Sequence, residues 1–221
     1  MLSTIAALLI LILTFLNTST INTININDKL IIAGIFTTSS IYGISIAIYP
    51  NWYKKTTKKQ EKNQKQNKKT TREQKGHHPD CTYFKSHIFN TKNKTHCAGC
   101  LGLTIGATIS IILTILYITN LVEQTNKTYH ILIIIGLTII SLSFVEITLS
   151  IRSSTIHTIS NTLLIISFLI ITISILEITK NILYGLIAIL LSFLWLETRI
   201  QLSKWQHHRI CQDCTENCKT Y

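Results

Sequence analysis

The sequence predicts an all-α fold: a polytopic transmembrane helical bundle of about six spans, with small Cys/His metal-knuckle segments on its cytoplasmic face. Three observations point there. Hydrophobic residues make up 47% of the 221 residues and charged residues only 14%. The charges are clustered, so that long stretches of Ile, Leu and Thr carry none while one stretch is crowded with Lys. A soluble domain spreads charge over its whole surface. Finally, all six cysteines fall in two short polar segments.

The apolar stretches, in order, are Leu2 to Leu16, Leu30 to Tyr49, Leu101 to Thr119, Ile131 to Ser150, Thr162 to Leu176 and Ile182 to Leu196. About 20 apolar residues cross a bilayer core. The second, third and fourth reach that length. The fifth and sixth are shorter, and are accepted because Glu177 to Asn181 leaves only a tight hairpin between them. A hairpin of two buried soluble helices is the rival there. The first stretch has a signal peptide as its rival. No Lys or Arg precedes it and no Ala-x-Ala site follows, so a retained helix is expected. Ser and Thr inside the spans can bond the backbone carbonyl one turn back.

Cytoplasmic loops collect Lys and Arg. With six spans and both termini inside, the inner segments hold 18 of the 21 basic residues. Thirteen lie between Asn51 and His96, one is Arg152, and Arg199, Lys204, Arg209 and Lys219 are in the tail. Each outer loop holds one: Lys29, Lys127 and Lys180. The expectation is a multi-pass protein of the cell membrane with cytoplasmic N- and C-termini and membrane lipids as its first partners.

Residues 1–50 thus read as two N-terminal spans. Residues 51–75 read as a disordered linker with ten Lys or Arg against two Glu. It serves as a topology signal that leans on anionic headgroups. Nucleic acid is not the expected partner, because no aromatic residues are interleaved after Tyr53. Residues 76–100 shift to His, Cys, Phe and Tyr, long enough for a metal knuckle and too short for a hydrophobic core. Residues 101–197 hold four spans. Gly102 and Gly106 form a small-xxx-small pair, extended by Ser110, that lets helices approach closely; ordinary glycine tolerance explains it equally well. The last helix is expected to continue past Trp195 through Ile200 and Leu202 towards Trp205. A second Cys/His cluster then ends the tail, residues 198–221.

The loop reads His78-Pro-Asp-Cys81, fifteen residues, then Cys97-Ala-Gly-Cys100. This is the spacing of a two-knuckle zinc site with His in the first place. Ligands two residues apart can bite one ion when a turn brings them to one side, and Gly99 suits a turn through positive φ. Four ligands close the site, making it structural. The tail reads His208-x2-Cys211-x2-Cys214-x3-Cys218. Each segment can bind its own ion, or the two Cys-x2-Cys pairs can share one. His207, Cys211, Cys214 and Cys218 also fall on one helical stripe, spread over about 16 Å if helical, too far for one ion. His87 and His96 read as surface or supporting groups. Zinc is the expected metal in a reducing cytoplasm. An iron–sulfur cluster ranks below it, since His208 stands at the first Cys position and Lys219 replaces the usual Pro. A thiol-disulfide role lacks its usual context.

His77-His78-Pro79-Asp80-Cys81, His87, Cys97-Ala98-Gly99-Cys100-x-Gly102 and Trp205-x-His207-x-Arg209-Ile210-Cys211-x2-Cys214 together resemble a set of uncharacterised archaeal membrane proteins. A further similarity is to bacterial and archaeal membrane proteins with a Cys-Ala-Arg-Cys-Thr-Gly motif before a helix; Gly99 stands here for that Arg and Leu101 for that Thr. The resemblance covers about half the chain and implies a membrane protein without a known activity.

Glu146 is the acidic residue within the apolar segments, and its expected role is an interfacial pair with Arg152, with His157 in the same inner loop. Beyond Glu146 the spans offer few polar groups for a transport path. No phosphate loop, nucleophile elbow or His-Glu-x2-His motif appears. No catalytic residue is assigned. The expected function is a membrane-anchored zinc module that docks a protein partner on the cytoplasmic face. A redox protein with an iron–sulfur or thiol site, or an open-site metalloenzyme, is the alternative.

Overall fold

A computed structural model describes residues 5, 8–10, 12, 14, 24–48, 88–91, 94–119, 126–149 and 153–212. Five helices among them are long and apolar enough to cross a membrane. These are α1 (Ile26–Ile48), α2 (Ala98–Ile118), α3 (Asn126–Thr148), α4 (Ser154–Thr179) and α5 (Ile182–Gln212). Their apolar surfaces stay outward: Ile31, Ile112, Ile134, Leu142 and Leu190 are all exposed. Such a coat of bare isoleucine and leucine suits lipid rather than water. The chain is a multi-pass membrane protein. Of the predicted first span, the few described residues are helical and Ile10 is fully buried. The rest of that stretch, the basic linker 51–75, and most of the first knuckle segment lie outside the described residues.

α4 is the central post. Its middle carries the core residues Leu164, Phe168, Ile171 and Ile175, which meet Ile133 and Ile140 of α3 and Trp195 of α5. Phe168 and Trp195 stack with centroids 6.2 Å apart. The helices alternate in direction. The Cys97/Cys100 end of α2 therefore lies with the ends of α1 and α3 and the start of α4, and the opposite end holds Lys29, Tyr117 and Glu177.

The hydroxyls behave as membrane helices require. Thr108 donates to the Thr104 carbonyl at 2.9 Å, Thr138 to Ile134 at 2.8 Å, and Thr172 to Phe168 at 2.8 Å. Each closes its donor on its own helix and leaves the apolar exterior intact.

Three expectations need correction. The fifth span does not begin at Thr162: α4 starts at Ser154 and runs 26 residues to Thr179. Its polar first turns resemble a loop in sequence, but they pack between α2 and α5. The hairpin predicted over Glu177 to Asn181 shrinks to its last residues. Lys180 caps α4 with φ 50° and donates its N–H to the Leu176 carbonyl at 2.9 Å. Asn181 Oδ1 accepts the Leu183 N–H at 2.9 Å and so starts α5. Lastly, the fold is not purely helical. Ile88–Thr91 (β1) pairs antiparallel with Lys94–Cys97 (β2), Ile88 opposite Cys97. Phe, Thr and Ile within these four-residue runs favour extended backbone.

The expected continuation of the last helix is present. α5 spans 31 residues, about 46 Å at the usual rise.

Candidate functional site

One end of the bundle gathers two adjoining groups of polar side chains. The first is a charged cluster between α3, α4 and α5. Ser143 and Glu146 stand three residues apart on one face of α3; His157, Ser160 and Asn161 share a face of α4. Arg199 lies one turn beyond buried Trp195 on α5, and is itself only 5% exposed. Its guanidinium has five N–H donors, and the surroundings supply five acceptors. Nε donates to Asn161 Oδ1 at 2.9 Å. Nη1 donates to the Ser143 carbonyl and hydroxyl. Nη2 donates to Glu146 Oε2 at 3.0 Å and Ser160 Oγ at 3.2 Å. The other Glu146 oxygen lies against Nδ1 of His157.

This gives Glu146 partners on α4 and α5, while its expected partner Arg152 lies outside the described residues. Both carboxylate oxygens are occupied by residues from other helices. It also removes His157 from a loop and Arg199 from the tail. Sequence reasoning assigned Arg199 to a solvated segment because it follows a run ending at Leu196. The missed signal was periodicity: Trp195 and Arg199 are four apart and share a face.

The second group is Cys97-Ala98-Gly99-Cys100. Cys97 ends β2 in extended backbone (φ −68°, ψ 125°) and immediately precedes α2; Cys100 sits in the first helical turn. The bend from strand to helix brings the two side chains together, and the Cys100 thiol hydrogen-bonds Cys97. Both are thiols, half-buried, with Ala98 fully buried between them. Gly99 does not adopt positive φ. It is helical, and a Cβ there would make only ordinary contacts, 3.5 Å from Asn161 Nδ2 and 3.8 Å from Cys97 Sγ. Asn161 thus touches the cysteine turn on one side and Arg199 on the other. The turn is further tied down by Thr158, whose hydroxyl lies 3.1 Å from the Ala98 carbonyl.

The remaining predicted ligands are only partly placed. His78, Cys81, Cys214 and Cys218 lie outside the described residues. His208 is exposed on α5, and Cys211 belongs to the same helix one turn on. Among the described residues no three metal-capable side chains converge.

At the opposite end, Glu177 is 4% exposed and binds three partners. Tyr117 donates to Oε1 at 2.6 Å, Lys29 lies 2.8 Å from the same oxygen, and Lys180 lies 2.5 Å from Oε2. Lys29 also stands over the Tyr117 ring, 5.1 Å from its centre. Two of the three lysines that the sequence assigned to outer loops thus share one carboxylate. Compared with protein-family models, with curated proteins and with solved structures, the chain finds no match.

Proposed function

We propose that this multi-pass protein lies in the cell membrane with both termini cytoplasmic, and that its inner face carries a structural zinc module which docks a protein partner. The observation that carries the reading is the pairing of Cys97 and Cys100 at a strand-to-helix junction. Two thiols already in mutual contact match the donor set zinc prefers. His78 and Cys81 would complete four ligands, leaving no open position for catalysis. When bound, the ion would cross-link a polar loop to α2. A loop of that length has too few apolar residues to order itself.

Arg199 supports separate ions over one shared between loop and tail. Arg199 bonds Asn161, and Asn161 adjoins the Cys97 turn. Cys211 follows Arg199 by twelve helical residues, a rise of about 18 Å. Zinc–thiolate bonds are about 2.3 Å, so a rise of that size favours separate ions.

Metal content of protein purified without reductant or added metal tests the proposal. Two zinc ions per chain are expected, and Cys97→Ser with Cys100→Ser should remove one of them. Metal-free protein overturns the reading. A brown, iron-containing preparation replaces it with the redox alternative.

A further inference from the structure

Asn161 meets both polar groups at the cysteine end, and one of them fixes the sense of its amide. Oδ1 accepts the Arg199 Nε–H at 2.9 Å. A guanidinium has donors only, so the amide atom that faces it must be the oxygen. The nitrogen is therefore turned the other way. One of its two N–H groups goes to the His157 carbonyl, at 2.8 Å. Nδ2 also borders the cysteine turn. It lies 3.5 Å from the empty Cβ position of Gly99, and Cys97 Sγ lies 3.8 Å from the same point. The donor nitrogen and the sulfur thus flank one glycine.

The turn is held in place against that nitrogen. The Thr158 hydroxyl lies 3.1 Å from the Ala98 carbonyl, and the Thr162 hydroxyl 3.0 Å from the Gly102 carbonyl. Both anchors share a face of α4 with Asn161. A cysteine that holds a metal is a thiolate, and a thiolate takes hydrogen bonds strengthened by its charge. Groups that support a ligand in this way orient it and tune its hold on the ion. The opposite sense of the amide would turn oxygen lone pairs on the sulfur and repel it. The last torsion of an Asn side chain is broad and roughly two-fold, so without Arg199 both senses are open.

We propose that Asn161 is the positioning residue of the Cys97/Cys100 site, with its N–H side facing the sulfur ligands. Arg199 holds it in that sense, so the seating of α5 sets how tightly the cysteine turn keeps a metal ion. The inference deepens the zinc reading and rests on it for the identity of the ion.

Zinc titrated into the full chain in detergent, against a chelator of known affinity, reads the effect. Asn161→Asp keeps an oxygen for Arg199 and puts a second oxygen where the donor nitrogen stood. It should weaken zinc at the cysteine turn by roughly 10–100-fold, the usual cost of losing a group that supports a ligand. Asn161→Leu removes the donor without adding repulsion, so its loss should be smaller. Both variants lose the bond to His157, and their difference isolates the oxygen. Zinc in the tail cluster should not change in either. Arg199→Met combined with Glu146→Gln should weaken the cysteine-turn zinc where Asn161 is kept and add nothing where it is Leu. Wild-type affinity in Asn161→Asp overturns the proposal. So does a variant that loses both ions, since the effect would then be on the fold. A wild-type chain that takes no zinc at the turn removes the metal reading alone. The amide is then read on metal-free chain with Cys81, Cys211, Cys214 and Cys218 changed to Ser. Maleimide at fixed pH should label the remaining pair several-fold more slowly in Asn161→Asp, and an equal rate overturns the proposal.

Discussion

Arg199 shows how a single side chain can organise one end of a membrane bundle. A guanidinium inside a span is costly unless every donor is met. Here α3 supplies three acceptors and α4 two, so α5 is locked to both by one residue. Arg199→Met should destabilise the protein by about 3–5 kcal/mol, because Glu146 would keep a buried charge without its cation. Adding Glu146→Gln should recover part of that loss. Thermal unfolding in detergent reads both, and a single variant as stable as the parent would refute the account. Glu177→Gln at the other end should cost less, about 1–3 kcal/mol. Its lysine partners can extend towards headgroups when released, whereas Arg199 has no such exit. The same unfolding measurement compares the two ends directly.

Among the helices, the contact between α2 and α4 depends on absent side chains. A Cβ on Gly102 would collide with the Thr158 carbonyl and approach Asn161 Cβ to 2.9 Å. One on Gly106 would sit 2.7 Å from the Thr162 carbonyl and 3.0 Å from Thr162 Cα. The Thr158 and Thr162 atoms are backbone and cannot swing away. The close approach lets Thr162 place its hydroxyl 3.0 Å from the Gly102 carbonyl, across the interface. Of the two readings open from sequence, close packing is the one present. Gly106→Ala should therefore cost about 1–3 kcal/mol by overpacking. Gly34→Ala, in open space, should be neutral or gain up to about 1 kcal/mol of helix propensity. Unfolding of the two variants side by side decides it; equal effects would sink the packing argument.

For the molecule as a whole, orientation is the quantity on which the proposed function depends. If the cysteine end faces the cytoplasm, an impermeant maleimide added to intact cells should leave Cys97 and Cys211 unlabelled, and permeabilisation should expose them. Labelling before permeabilisation would place the metal segments outside and remove the proposed function with them.

Membrane character was legible in the sequence because apolar composition over 20 residues decides it without reference to neighbours. So was the grouping of Cys97 with Cys100, since two intervening residues hold ligands close in any turn. The extended last helix could also be read, from apolar residues persisting past Trp195. What the linear pattern could not supply was which polar residues leave solvent. Glu146, His157, Asn161, Arg199 and Glu177 all sit near apolar boundaries, where a residue can face headgroups or turn inward. That choice depends on partners on other helices, from 11 positions away for His157 and Glu146 to 148 for Glu177 and Lys29. Only packing brings those partners within hydrogen-bond range, and only their presence makes burial of the charge affordable.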